Sequence, residues 1–572
     1  MTHLFDDPTR FMEDMLVGFL DANHRYVVGV PGGVVRATQT RRGKVAVVVG
    51  GGSGHYPAFC GVVGQGFADG AVVGNIFTSP STDDAYHVGQ AASGGSGVLF
   101  STGNYAGDVM NFDLAQERLR AAGIDTRNVY VTDDVASAPV AEIAKRRGIA
   151  GDFVVFKVAG AAAEAGYDLD EVERVARRAN DRTRTMGVGL DGCTMPGAVD
   201  ALFHVPAGKM GVGLGIHGEP GIAEEDLPHA ADLARLLLDK VLVEEPADSK
   251  KRVGTILNGL GATKYEELFV VWKTVSALLR ESGYTVVDPE VGELVTSLDM
   301  AGISLTLVYL DDELEKFWKA PADTPAYKKG SALASSDAKA RSSVVEQDAV
   351  AAVVGGSAES QRLAGVAFAA LQAMAEAIKE AEPELGRIDA IAGDGDHGRG
   401  MVKGVTFALF DARLALEAGG GVASVLGAAG DAWAAKAGGT SGVLWGSALR
   451  SLGDHLGDDL TQVDAVDVAA AVRAGADTMQ RLGKAKIGDK TMLDALLPFL
   501  DELEVRAAGG ENLASAWTAA AQTATAAAEA TTLLRPMVGR ARPLAERSVG
   551  TPDPGAVSMA MCLRVIAKVL AR

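Results

Sequence analysis

Up to about residue 318, short runs of aliphatic and β-branched residues each close on a glycine-rich turn: "KVAVVVGGGSG", "SGVLFSTGNYAGD", "DFVVFKVAG", "KMGVGLGIHGEPG" and "RVGTILNGLG". Apolar runs of this length bounded by turn residues predict buried strands. Stretches with helical spacing, such as "EELFVVWKTVSALLRESG", lie between them. The alternation predicts an α/β region whose ligands collect at the loops that follow the strands. Residues 320–347, "APADTPAYKKGSALASSDAKARSSVVEQ", are small, polar and unpatterned and predict an interdomain linker. Beyond about residue 357 the texture changes to alanine-rich helical periodicity, as in "RLAGVAFAALQAMAEAIKEAEPEL" and "NLASAWTAAAQTATAAAEATTLL". The expected organisation is an N-terminal α/β region over 1–325, a linker over 326–356 and an all-α domain over 357–572.

The bulk numbers narrow the function classes. A chain of 572 residues, 48% hydrophobic, is long enough for several ordinary cores. A formal net charge of -20 without a basic cluster argues against nucleic acid and against anionic membranes. Cys60, Cys193 and Cys562 form no CxxC or Cys/His spacing, which argues against disulfides and structural zinc and fits a reducing cytoplasm. The N-terminal "MTHLFDDPTRFMEDM" carries acids where a secretion signal carries bases. No apolar run approaches the roughly 18 residues of a membrane span, so a cytoplasmic location is expected.

Chemistry concentrates in the glycine-rich loops. In "RIDAIAGDGDHGRG" (387–400), Asp389, Asp394 and Asp396 fall within eight residues. Carboxylates this close repel one another unless a cation neutralises them, and an all-oxygen set suits magnesium or calcium. The other reading is an acidic surface turn capping the helix-like "GMVKGVTFALFDARLAL". "KAGGTSGVLWG" (436–446) offers backbone N–H groups and the hydroxyls of Thr440 and Ser441 where a helix could begin, an arrangement suited to phosphate oxygens. "RLGKAKIGDKTMLDAL" (481–496) and "GRARPLAERSVGTPDPGAVS" (539–558) add polar loops. No GxxxxGK[ST] is present, so a nucleotide here would need a fold other than a P-loop. In the first half, His55, Asp108 and His217 each follow a strand-like run. One such histidine serves structure as readily as chemistry, but three reactive side chains at three strand ends point to a site.

"GDGDHG", "GGTSG", "GDKTMLDAL" and "ERSVGTPDPGA", in this order, resemble the ATP-binding domain of dihydroxyacetone kinases, and the first half resembles their substrate-binding domain. The resemblance implies an ATP-dependent kinase acting on a terminal hydroxyl of a short-chain ketose, with an eight-helix barrel for the nucleotide and a homodimeric assembly. It implies that Asp389, Asp394 and Asp396 hold two magnesium ions, and that His397, Gly398, Arg399, Gly400, Thr440 and Ser441 contact phosphates. Gly483 and Met492 would face the adenine, and Arg540, Asp553, Pro554 and Gly555 the rest of the ATP. His217 would hold the ketone as a covalent hemiaminal, His55 and Asp108 would be the acid/base pair, and Gly52, Ser53 and Gly54 would cradle substrate oxygens. Other activities of this architecture are a cyclising FAD-AMP lyase and a non-catalytic ketone sensor.

Two positions depart from the family pattern. Gly103 stands where a substrate-contacting lysine is usual, and Tyr56 where an acid follows the histidine. Loss of the charged hydrogen bond would cost about 1.5–3 kcal/mol for an unchanged substrate. The vacated volume suits a four-carbon ketose such as erythrulose; if neighbouring side chains refill it, dihydroxyacetone remains the expected substrate.

Overall fold

The computed structural model describes residues 2–331, 355–393, 395–539 and 541–571. The chain divides into two compact units, residues 1–345 and 346–572.

The first unit carries two six-stranded sheets. Strands β1 (Val27–Val30), β2 (Gly33–Arg36), β3 (Ala46–Ser53), β4 (Gly70–Ile76), β5 (Val98–Gly103) and β6 (Thr126–Val131) form one sheet in the order β1-β2-β4-β3-β5-β6. β4, β3, β5 and β6 run parallel. Along these strands Val47, Val49 and Leu99 enter one core, while Val48, Val98 and Phe100 enter another. Burial of both faces explains why the runs are apolar without alternation. The chain passes from β3 to β4 on one side and returns to β5 on the other. The C-terminal ends of β3 and β5 are therefore a switch point, where a parallel sheet opens a crevice.

The second sheet contains β7 (Thr183–Gly189), β8 (Lys209–Val212), β9 (Ala223–Asp226), β10 (Arg252–Gly259), β11 (Thr285–Gly292) and β12 (Gly302–Tyr309), ordered β11-β10-β12-β7-β8-β9. β10 and β11 pair in parallel; the other neighbours are antiparallel.

Two expectations need correction. "DFVVFKVAG" is not a strand but lies within the helix Gly151–Glu164, in which Gly151 through Ala163 are all buried. A run that is apolar on every side suits a helix surrounded by core as well as a buried strand, and only packing distinguishes them. The first unit also continues beyond residue 325. Ala322–Asp323 pairs with Lys328–Lys329, and the buried Tyr327 donates its hydroxyl to Glu290 Oε1 at 2.6 Å. Of the linker expected over 326–356, residues 332–354 lie outside the described residues.

The second unit is helical. Its eight helices of sixteen or more residues among those described are Ala358–Asp389, His397–Glu417, Val422–Ala437, Gly439–Leu456, Ala465–Gly483, Leu493–Ala508, Leu513–Ala530 and Pro554–Leu570. Each packs on the next and the last packs on the first, closing the expected eight-helix barrel. Small residues permit this closeness. A Cβ on Gly446 would stand 2.4 Å from the carbonyl oxygen of Gly430 on the preceding helix. Among the described residues no helix is long and apolar enough to cross a membrane.

Candidate active site

In the first unit, β3 ends in Gly52, Ser53 and Gly54, and the chain then delivers His55. A Cβ on Gly52 would meet the Thr78 backbone nitrogen at 2.5 Å, and Gly54 adopts φ +101°. Glycine is needed at both places. Ser53 Oγ is buried without a hydrogen-bond partner among the described residues, as a hydroxyl reserved for a ligand would be. Beyond β8, in the second sheet, a loop carries His217 back to His55.

The two imidazoles meet, with Nε2 to Nε2 at 3.0 Å. His55 Nδ1 lies 2.7 Å from the carbonyl oxygen of Thr296. His217 Nδ1 lies 2.9 Å from Glu219 Oε1, and the His217 backbone N–H donates to Glu219 Oε2 at 3.0 Å. Arg147 Nη1 lies 3.7 Å from the same carboxylate and Arg147 Nη2 lies 2.7 Å from Asp134. A chain of alternating charge thus backs His217. Phe77 stacks on His55 at 5.1 Å between ring centroids and meets His217 edge-on at 5.2 Å. Tyr105 covers His217 edge-on at 4.7 Å. Burial, and then the proximity of His217, pull the pKa of His55 down to about 3. His55 is therefore neutral, with a lone pair free to take a proton.

Asp108 occupies the first turn of the helix Ala106–Ala121, three residues beyond Tyr105, and is buried. Its charge reaches Asp152, whose pKa rises well above the carboxylate range through burial, Asp133 and Asp108. The expected strand-end placement thus holds for His55, Asp108 and His217, although His217 comes from the second sheet. Tyr56 behaves differently: its ring is about half exposed and lies edge-on to Phe19 at 6.2 Å. The space beside Gly103 is filled. A Cβ there would stand 2.9 Å from the Tyr105 ring and 3.2 Å from the Gly148 carbonyl oxygen, while Tyr105 donates its hydroxyl to that oxygen at 3.0 Å. The idea of empty volume left by the absent lysine fails at the first side-chain carbon.

In the second unit, short connections between packed helices impose an up-and-down course. The connections 389–397, 437–439, 483–493 and 530–554 therefore gather at one end of the barrel. They carry all four glycine-rich motifs. His397 Nε2 contacts Ser558 Oγ at 2.9 Å, tying the second helix to the last. A Cβ on Gly555 would lie 3.5 Å from Met492, and Gly483 ends the helix that leads to it. Asp553 caps the last helix, accepting the Ala556 N–H at 2.7 Å, with Pro554 in its first turn. Gly398 packs on the Glu382 backbone, Arg399 is exposed and Gly400 faces open space. Thr440 and Ser441 stand in the first turn of Gly439–Leu456, where backbone N–H groups lack intrahelical acceptors. Ser441 Oγ is buried and without a partner among the described residues.

Asp389 ends the first helix and Asp396 directly precedes the second, near enough that burial and then Asp389 push the Asp396 pKa up to about 7. Two oxygen-donor side chains that repel when unneutralised suit a hard divalent cation. No cluster of three metal-ligating side chains occurs among the described residues; Asp394, and likewise Arg540, lie outside them.

Sequence reasoning did not single out Glu219, Arg147, Asp134 or Tyr105. Glu219 had a signal, standing two residues after His217 in "HGEPG"; Arg147 and Asp134 had none.

A Dak1 domain matches residues 17–326 and a DAK2 domain residues 391–568. A D-erythrulose kinase from Mycolicibacterium smegmatis is 64% identical over 570 residues, covering 99% of this chain and 98% of that protein. An L-erythrulose kinase from Pectobacterium atrosepticum is 53% identical, covering 100% and 97%. Among solved structures, the dihydroxyacetone kinase of C. freundii in complex with AMP-PNP and Mg2+ is 30% identical, with a TM-score of 0.53 and 99% of both chains covered. With both domain types joined in one polypeptide, the chain belongs to the dihydroxyacetone kinase family.

Proposed function

We propose that this kinase transfers the γ-phosphoryl group of ATP to a terminal hydroxyl of a short-chain ketose whose carbonyl carbon is bonded to His217. The observation that carries the reading is the orientation of His217. Glu219 holds the Nδ1 side, leaving Nε2 as the atom that attacks, and that atom faces His55. A covalent bond through a carbonyl selects ketones and excludes glycerol. The relatives' names support erythrulose as the ketose, in place of the argument from vacated volume at Gly103.

The roles of the other residues follow from their places. Asp108 accepts the proton of the attacking hydroxyl, with His55 as its acid/base partner. Gly52, Ser53 and Gly54 hold substrate oxygens through backbone N–H groups and the orphaned Ser53 hydroxyl. In the second unit, the first-turn amides and hydroxyls of Thr440 and Ser441 take phosphate oxygens, while Met492 and Gly483 line the adenine end and Gly555, beside Met492, faces the rest of the nucleotide. Magnesium would be held by Asp389 and Asp396 together with Asp394. Bound there, it would supply positive charge for the phosphate oxygens, the main requirement of phosphoryl transfer.

The test is initial ADP release with Mg-ATP against dihydroxyacetone, D-erythrulose, L-erythrulose and glycerol. The expected result is turnover of ketoses, highest kcat/KM for one erythrulose enantiomer and none for glycerol. Glycerol turnover would refute carbonyl capture. A cyclic nucleotide formed from FAD without any ketose would support lyase chemistry instead.

A further inference from the structure

Three hydrogen bonds run in series through the histidine pair: Thr296 carbonyl to His55 Nδ1, His55 Nε2 to His217 Nε2, and His217 Nδ1 to Glu219 Oε1. Each needs one proton. A peptide carbonyl and an ionised carboxylate can only accept, so both Nδ1 atoms must carry hydrogen. Two neutral imidazoles supply two protons, and those are already used at the Nδ1 positions. The contact between the Nε2 atoms would then set lone pair against lone pair.

We infer that the ketone-free site binds one additional proton between His55 Nε2 and His217 Nε2, that Glu219 is the positioning residue supplying its counter-charge, and that this proton becomes the hydroxyl proton of the hemiaminal. The inference rests on the proposed hemiaminal. The step balances. The shared proton moves to His55 Nε2, freeing the His217 Nε2 lone pair. That lone pair forms the bond to the ketone carbon while the C=O π electrons move to oxygen. The oxygen then takes the proton from His55. One positive imidazolium ring lies beside Glu219 before and after, and no proton is exchanged with solvent.

The surroundings accommodate this charge. Glu219 lies on the same loop, and Arg147 is neutralised by Asp134 as well as facing Glu219. Tyr105 comes from the helix start that also carries Asp108, and is within electrostatic reach of Asp152 and Glu219; the buried Cys193 is within reach of Glu219 as well. The segment before β12 contributes the Thr296 carbonyl, and Phe77 closes the remaining side. The depressed pKa of His55 places the resting proton nearer His217.

The test is calorimetric binding of D- and L-erythrulose to the full chain without ATP, in buffers of different ionisation enthalpy, from about pH 5.5 to about pH 9. Net proton uptake should be near zero at the acid end and approach one proton per site at the alkaline end, where the resting pair has lost its proton. Glu219→Gln keeps a hydrogen-bond acceptor but not the charge, and should move the rise at least about one pH unit lower. Flat uptake across the range in the unaltered protein would overturn the inference without needing any variant, as would superimposable curves for Glu219→Gln. Intact-protein mass spectrometry separates the two readings: a covalent adduct with flat uptake overturns only the shared proton, whereas absence of binding and adduct overturns both.

Discussion

A methyl group added at position 103 would collide with a ring that cannot easily retreat. The Cβ of Gly103→Ala would stand 2.9 and 3.1 Å from two carbons of Tyr105 and 3.2 Å from the Gly148 carbonyl oxygen. Tyr105 is held by its hydrogen bond to that same oxygen at 3.0 Å and by its edge contact with His217. Overpacking at a buried site costs about 1–3 kcal/mol. If the ring is displaced instead, a hydrogen bond of about 0.5–1.5 kcal/mol and an aromatic contact of similar size are lost. Either route gives about 1–3 kcal/mol, a fall of roughly 1–4 °C in the unfolding transition of a unit this large. Displacement of Tyr105 also uncovers His217, so KM for the ketose should rise while KM for ATP stays constant. Differential scanning calorimetry and ketose saturation kinetics measure the two effects. Adding Tyr105→Ala to Gly103→Ala should suppress most of the clash. An alanine variant with unchanged transition and unchanged ketose KM would refute the claim that Tyr105 is pinned.

Asp69→Ala should destabilise the first unit by up to about 3–5 kcal/mol, seen in urea unfolding, because two buried cations, Arg36 and Lys44, then share the carboxylate of Glu164, at 3.1 and 3.7 Å, in place of two carboxylates. Asp69 accepts from Lys44 Nζ at 2.5 Å and the Val47 N–H at 2.9 Å and pairs with Arg36 at 3.1 Å. Burial raises its pKa, but Arg36 and Lys44 outweigh this and hold it below the usual value. Its stabilisation is therefore full above the ordinary aspartate pKa and is lost as pH falls through the depressed one; acid unfolding of the unaltered protein should steepen there, and the variant should lack this steepening. Ser441→Ala removes a buried hydroxyl with no partner among the described residues. It should leave the thermal transition unchanged or slightly higher and raise KM for ATP several-fold, with ketose binding unaffected in calorimetry. Chelation of divalent cations should abolish ADP release, and Asp389→Asn should abolish both turnover and any rise of the unfolding transition on adding magnesium.

Much of this was legible because it is local. Glycine-terminated apolar runs set β3, β5, β8 and β10, and alanine-rich periodicity set the barrel helices, since both patterns express backbone geometry within a short window. The carboxylates of 389–396 and the helix start at Gly439 were visible for the same reason. "DFVVFKVAG" failed because burial on all sides erases the periodicity that separates helix from strand.

By itself, then, the sequence determined the two-part organisation, the loops that carry chemistry and the residue types available in them. Only the tertiary structure decided that His55 and His217, 162 residues apart, touch; that Glu219, Arg147 and Asp134 form a line of alternating charge behind them; and that Tyr105 occupies the place beside Gly103. Strand order and side-chain packing bring these groups together. They depend on contacts between distant segments, each of which looks the same in sequence whether or not its partner is near.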